Sequence, residues 1–200
     1  MIKRIGYIFP LVLLPTAGSY QSVKIGLGVG LGKSKTSQNI NLEEALNYRN
    51  STSNQIYIDA TIEYIPVNSL FSIVGGVAYN QKGDKYFDLN YLSVPMMLKL
   101  QFGKSLKYYF GGGLYGSILI NYNNPYSDEY FANSLSNFDY GSVINTGFMV
   151  RISNMVDIYF EYRNHMGIHK VYKFNPEQSY RYNCHYLSVG IKFSVFVRGA

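Results

Sequence analysis

The stretch Ser22-Val23-Lys24-Ile25-Gly26-Leu27-Gly28-Val29-Gly30-Leu31-Gly32 places five aliphatic side chains on one parity and a lysine with four glycines on the other. A two-residue period belongs to a β-strand, whose successive side chains point to opposite faces. An α-helix would scatter both sets around its circumference. The two faces therefore meet two different environments. Gly26 to Lys33 also echoes a phosphate-binding loop, but no helix follows and the Walker spacing is absent.

Seven more segments repeat the pattern. About Gln55 to Ile65, Ile56, Ile58, Ala60, Ile62 and Tyr64 oppose Tyr57, Asp59, Thr61 and Glu63; from Leu70 to about Asn80, Phe71, Ile73, Val77 and Tyr79 oppose Ser72, Gly76, Ala78 and Asn80. Tyr91 to Phe102 and Lys107 to Ile120 follow, then about Tyr140 to Ile152. The seventh sets Ile158, Phe160 and Tyr162 against Asp157, Tyr159, Glu161, Arg163 and His165, and the eighth sets Leu187, Val189, Ile191, Phe193 and Val195 against Tyr186, Ser188, Gly190, Lys192 and Ser194. Connections alternate in length. Those at 33–54, 81–90, 121–139 and 167–181 are long, whereas Pro66 to Ser69, Gly103 to Ser105 and Ser153 to Val156 are short and built of turn residues.

An even set of antiparallel strands with tight turns at one end and longer loops at the other is the layout of an all-β, eight-stranded, up-and-down transmembrane β-barrel. Composition agrees. Tyrosine suits a surface that meets lipid and water together, and the chain holds 21 Tyr, 12 Phe and 19 Gly but no Trp. Residues 1–19 read as a signal peptide: Lys3 and Arg4, an apolar run from Ile5 to Leu14, then the small residues Thr16-Ala17-Gly18-Ser19. That run is too short to span a bilayer, and no later stretch offers eighteen continuous apolar residues. Residues 20–200 are expected to form the barrel domain, in the cell outer membrane with both chain ends in the periplasm.

Charge narrows the partners. Formal net charge is +6, falling to +4 without Lys3 and Arg4, and the bases are scattered along strands and loops. Nucleic acid is therefore not an expected partner. The single cysteine, Cys184, makes neither an intramolecular disulfide nor a cysteine-based metal site, and no cofactor or metal is expected.

A Lys or Arg facing lipid near the bilayer midplane costs about 2 to 4 kcal/mol, so the apolar parity must face outward and the charged parity the lumen. An eight-stranded barrel has an interior only wide enough for side chains. There we expect a network of Lys24, Asp59, Glu63, Lys99, Arg151, Asp157, Glu161, Arg163 and Lys192, with Lys24 near Glu63 and Arg151 near Asp157 or Glu161. Two roles are open to it, an ion or proton path and a plug. Glycines on the same parity would leave room for Tyr57, Tyr109, Tyr115 and Tyr159, and would also relieve strand curvature.

Several strand motifs resemble the PorT-like outer-membrane β-barrel family of Gram-negative bacteria. They are Tyr91-Leu92-Ser93-Val94-Pro95 with Leu98-Lys99, Gly111-Gly112-Gly113-Leu114-Tyr115-Gly116, Asp139-Tyr140-Gly141 with Gly147, and Tyr186-Leu187-Ser188-Val189-Gly190-Ile191-Lys192-Phe193. Ser93 departs from the family, which often has an acid there, as does the tail beyond Phe196, Val197-Arg198-Gly199-Ala200. The resemblance implies a fold and a location; only a minority of members are named for secretion.

Function is expected to be structural or surface-interactive, through the long loops, with outer-membrane lipid and lipopolysaccharide as surroundings and a protein partner at the loops. The contact candidates are Tyr122, Tyr126, Tyr130 and Phe131, whose segment could equally fold back as a cap over the lumen. Three alternatives stand beside this reading: a PorT-like accessory of protein secretion, a lipid-A-modifying barrel enzyme, and a soluble lipocalin-like carrier with its faces reversed. No catalytic residues are expected, because Ser142, His165 and His185 do not converge, and His165 with His169 is a weak metal pattern on a strand edge.

Overall fold

The computed structural model describes residues 22–38, 52–66, 69–83, 88–123, 135–169, 172–175 and 178–197. The expected signal peptide at 1–19 and the loop residues Tyr126, Tyr130 and Phe131 lie outside them. Nine strands follow in order: β1 Ser22–Gln38, β2 Thr52–Ile65, β3 Phe71–Gly83, β4 Asp88–Gly103, β5 Leu106–Asn123, β6 Phe138–Arg151, β7 Val156–Gly167, β8 Tyr172–Asn175 and β9 Gln178–Val197. Each of β1 to β7 pairs antiparallel with the next, β7 pairs with β9, and β9 pairs back with β1 from Ser22–Val197 to Gln38–Tyr180. Eight strands thus close a barrel. The ninth, β8, is a short strand that pairs only with the start of β9.

Sidedness follows the sequence parity. Along β1, Ile25, Leu27, Val29 and Leu31 are exposed while Lys24, Gly26, Gly28 and Gly30 are buried. Leu27, in the middle of the apolar column Val23 to Leu31, is 55% exposed; Glu63 is 1% exposed. This inversion overturns the lipocalin-like alternative, which needs apolar side chains lining the cavity. The outward column from Val23 to Leu31 spans eight residue steps. At about 3.3 Å per residue and a tilt near 40°, that is roughly 20 Å of height, against about 25 Å for the apolar band of an outer-membrane barrel.

Local chemistry explains the irregular points. Between β3 and β4 the ladder runs Gly75–Met96 and resumes at Ala78–Ser93, and the gap contains Pro95, which has no N–H to donate. The β4–β5 turn is closed by Gly103 at φ +113°, a conformation that side chains resist. The register slips by one residue where β1 leaves Val23 for Lys24, opposite Val195, and where β4 leaves Asn90 for Tyr91, opposite Ile120. The β2–β3, β4–β5 and β6–β7 turns and both ends of the barrel sheet lie at one rim and the other connections at the opposite rim; of these the β3–β4 connection, expected to be long, spans residues 84–87 because both strands extend into it.

Candidate functional site

The bore is filled from the short-turn end upward by ion pairs and tyrosines. Glu63 on β2 is the lowest hub: Lys192 from β9 bonds to Oε2, Lys99 from β4 lies 3.8 Å from the same oxygen, Ser72 donates to Oε1 at 2.7 Å and Gln101 also donates there. Beside it Asp157 on β7 takes Lys24 at 2.5 Å and Arg151 at 3.6 Å. Arg151 belongs to the rim, since its side chain is 46% exposed.

Lys24 does not bond to Glu63, its register partner on β2. Lys192 likewise passes over Asp157, its register partner on β7, and reaches Glu63. The two lysines exchange neighbours, and Gly26, opposite Lys192 with no side chain, leaves the path to β2 open. Each acid ends beside two cations, as it would if both lysines kept their register partners, so the exchange preserves the charge count and follows the open path over Gly26.

At mid-height Arg163 on β7 bridges two acids, donating to Asp59 at 2.9 Å and through Nε to Glu161 at 2.6 Å, with its guanidinium 4.8 Å from the Tyr57 ring centroid. Tyr159 donates to Asp59 at 3.3 Å, and Asn145 donates to Glu161 at 2.8 Å. The rings occupy space that glycines vacate. A Cβ on Gly190 would stand 2.5 Å from the Tyr159 ring, and one on Gly147 would stand 2.7 Å from the Tyr109 hydroxyl. Backbone approach therefore requires glycine at both positions.

Nearer the long-loop end, Lys82 on β3 pairs with Asp139 on β6 at 2.5 Å, and its ammonium lies 4.4 Å from the Tyr115 centroid and 4.8 Å from that of Tyr91. Sequence reading missed this pair by assigning both residues to loops. His165 stacks on Tyr115 at 4.8 Å between centroids and meets Tyr57 and Tyr186 edge-on. Both its ring nitrogens lack a hydrogen-bond partner, as do Asn80 Nδ2, Tyr91 Oη, Asp139 Oδ1 and both polar atoms of Gln55. Among the described residues of the lower half, Gln101 Oε1 and Asn145 Oδ1 share that condition. Thus the tightest polar packing is at the bottom and middle of the bore.

Among the described residues the fully buried ionic groups are five bases, Lys24, Lys82, Lys99, Arg163 and Lys192, and five acids, Asp59, Glu63, Asp139, Asp157 and Glu161. The interior is charge-balanced. No cluster of three metal-ligating side chains occurs among these residues. Ser142 and His165 sit on neighbouring strands but on opposite faces of the wall, and outward-facing His185 bonds through Nδ1 to the Tyr162 hydroxyl at 2.6 Å. His169 lies against the outward ring of Tyr140, away from His165. Tyr122 is exposed at the end of β5.

An apolar exterior, an ionised interior and a closed antiparallel wall define a transmembrane β-barrel of the outer-membrane class. Among solved structures, the chain is similar to Neisserial surface protein A, with 17% identity and a TM-score of 0.55 over 84% of this chain and 96% of that one. It is also similar to OprG from Pseudomonas aeruginosa, with 10% identity and a TM-score of 0.55 over 89% and 98%. The N-terminal β-barrel domain of Pseudomonas aeruginosa OprF gives 13% identity and a TM-score of 0.51 over 88% and 99%. At such identities the likeness concerns the fold. No protein-family model and no curated protein matches the chain.

Proposed function

We propose that the protein is a sealed outer-membrane barrel, with a structural plug in its lumen and its work done at the long-loop face. The observation that carries this reading is the charge-balanced bore, crossed at successive heights by Glu63 with its lysines, Arg163 with two acids, and Lys82 with Asp139. An ion moving through would have to displace paired groups and interlocked tyrosine rings. A pore protein instead keeps its polar lining apart and wet. Protein reconstituted in planar lipid bilayers is expected to show no single-channel steps; regular unitary conductance would overturn the plug.

The signal peptide belongs to this reading, as do lipid and lipopolysaccharide as surroundings and a protein partner at the loops around Tyr122, Tyr126, Tyr130 and Phe131. A finer assignment, an accessory of protein secretion, rests on the PorT-like strand motifs. In one of these, Tyr91 to Pro95, the inward residues Tyr91 and Ser93 line the bore, where Ser93 donates to Asn80 at 2.7 Å. Deleting the gene and measuring secreted protein tests that assignment, and unchanged export would end it.

A further inference from the structure

Above the oily belt the outward parity of two adjacent strands turns basic. On β1 the exposed column Val29, Leu31 continues as Lys33 and Lys35; on β9 the column Val189, Leu187 continues as His185, Asn183 and exposed Arg181. These strands are paired neighbours, with Leu31 opposite Leu187, Lys33 opposite His185, Lys35 opposite Asn183 and Ser37 opposite Arg181. Directly opposed residues have Cβ atoms about 4.5 to 5.5 Å apart, and diagonal ones about 7 to 8 Å apart. Lys33 and Lys35 therefore project from one small patch with the neutral hydrogen-bonding side chains of His185 and Asn183, and Arg181 continues it upward.

Among the described residues none of the three cations has a counter-ion on this face. Among the described residues, the outward positions of β1, β2, β7 and β9 carry no Asp or Glu. The patch is also anchored in height. His185 bonds to the outward Tyr162 at 2.6 Å, with the two rings stacked 6.0 Å apart between centroids. That aromatic pair marks the boundary where acyl chains give way to headgroups.

We infer that this face of β1 and β9 is a binding site for the phosphorylated headgroup of a membrane lipid. The acyl chains lie along Leu27, Leu31, Leu187 and Val189, and the phosphate sits among Lys33, Lys35 and Arg181. One Lys33 step above Leu31 rises roughly 5 Å along the barrel axis, which places the first ammonium just outside the hydrocarbon. Lysine and arginine supply charge-assisted hydrogen bonds to phosphate oxygens, while Asn183 and the Tyr162–His185 pair border the site with neutral groups. The inference rests on the membrane reading of the barrel and is independent of whether the lumen is sealed.

Native mass spectrometry of the full protein, released from a zwitterionic detergent with added lipid A, reads the site directly. The wild-type protein is expected to retain phosphorylated lipid A and to release the dephosphorylated form. The variant K33Q/K35Q/R181Q is expected to retain it at least about ten-fold less, from the loss of three attractions at the membrane surface. The charge-preserving variant K33R/K35R/R181K is expected to behave as wild type. Heat-modifiable gel migration establishes that both variants are folded. Equal retention by the neutralised variant, or of the dephosphorylated lipid by the wild type, would show that the oily belt alone holds the lipid and would overturn the site. Displacement by millimolar inorganic phosphate, or equal loss in the charge-preserving variant, would overturn it as well. Bilayer conductance of the same samples decides the plug separately.

Discussion

Glu63 shows how a single buried carboxylate governs its surroundings. Taking a charge out of water costs several kcal/mol, offset only while partners and hydrogen bonds remain in place. With Lys192 and Lys99 both directed at it, Glu63→Gln leaves two buried ammoniums competing for a neutral amide. We expect a loss of about 3 to 5 kcal/mol in urea unfolding of the refolded protein, and a change below about 1 kcal/mol would refute the hub. The Lys82–Asp139 pair is a cleaner one-to-one case, because both side chains are almost wholly buried. Lys82→Met and Asp139→Leu are each expected to cost about as much as Glu63→Gln, whereas the double variant should cost less than either alone, since removing both charges also removes their desolvation cost. Additive losses in a double-mutant cycle would mean that the two groups act separately.

The strands were legible wherever the wall touches lipid. Leu27 against Gly28 on β1, or Ile191 against Lys192 on β9, declares a face because one side must be oily and the other cannot be. Above the belt that contrast fades. Lys33 and Lys35 on β1, Gln81 on β3, Asn90 on β4 and Asn183 on β9 all lie on the outward parity, so the ladder continues although the alternation of polarity has ended. For this reason β1 reaches Gln38, β3 reaches Gly83 and β9 begins at Gln178, well into segments read as loops. The same fading hid Lys82 and Asp139, and it left the short β8 without a signal. The charged set of the lower bore was legible as a group, but its pairing was not: register alone points Lys24 at Glu63 and Lys192 at Asp157, both pairings satisfy the acids equally, and only the open path over Gly26 redirects them. Turns offer a direct test at this scale. Gly103 holds φ +113°, and a Cβ there would press on the Leu106 carbonyl. Gly103→Ala is expected to destabilise the barrel by about 1 to 2 kcal/mol, read as a lower urea midpoint with unchanged slope, while an unaltered midpoint would show that the turn has slack.

The whole molecule is an inside-out protein whose stability depends on the depth of each side chain in the membrane as well as on its neighbours. Leu27 stands in the middle of the outward β1 column, with Val23 and Leu31 near its two ends. If lipid surrounds that column, a cation at mid-height must cross the full thickness of one hydrocarbon leaflet to reach water, whereas one at either end reaches a headgroup by bending. Leu27→Arg should therefore lose about 2 to 4 kcal/mol, and Val23→Arg and Leu31→Arg about 0 to 1 kcal/mol each. In detergent micelles, which deform around a charge more readily, the three should converge. Urea titration of each variant folded into lipid vesicles measures the profile. Equal losses at all three depths would mean that the oily face meets something other than a bilayer, such as a protein partner wrapped around the wall, and the membrane reading would then give way to that one.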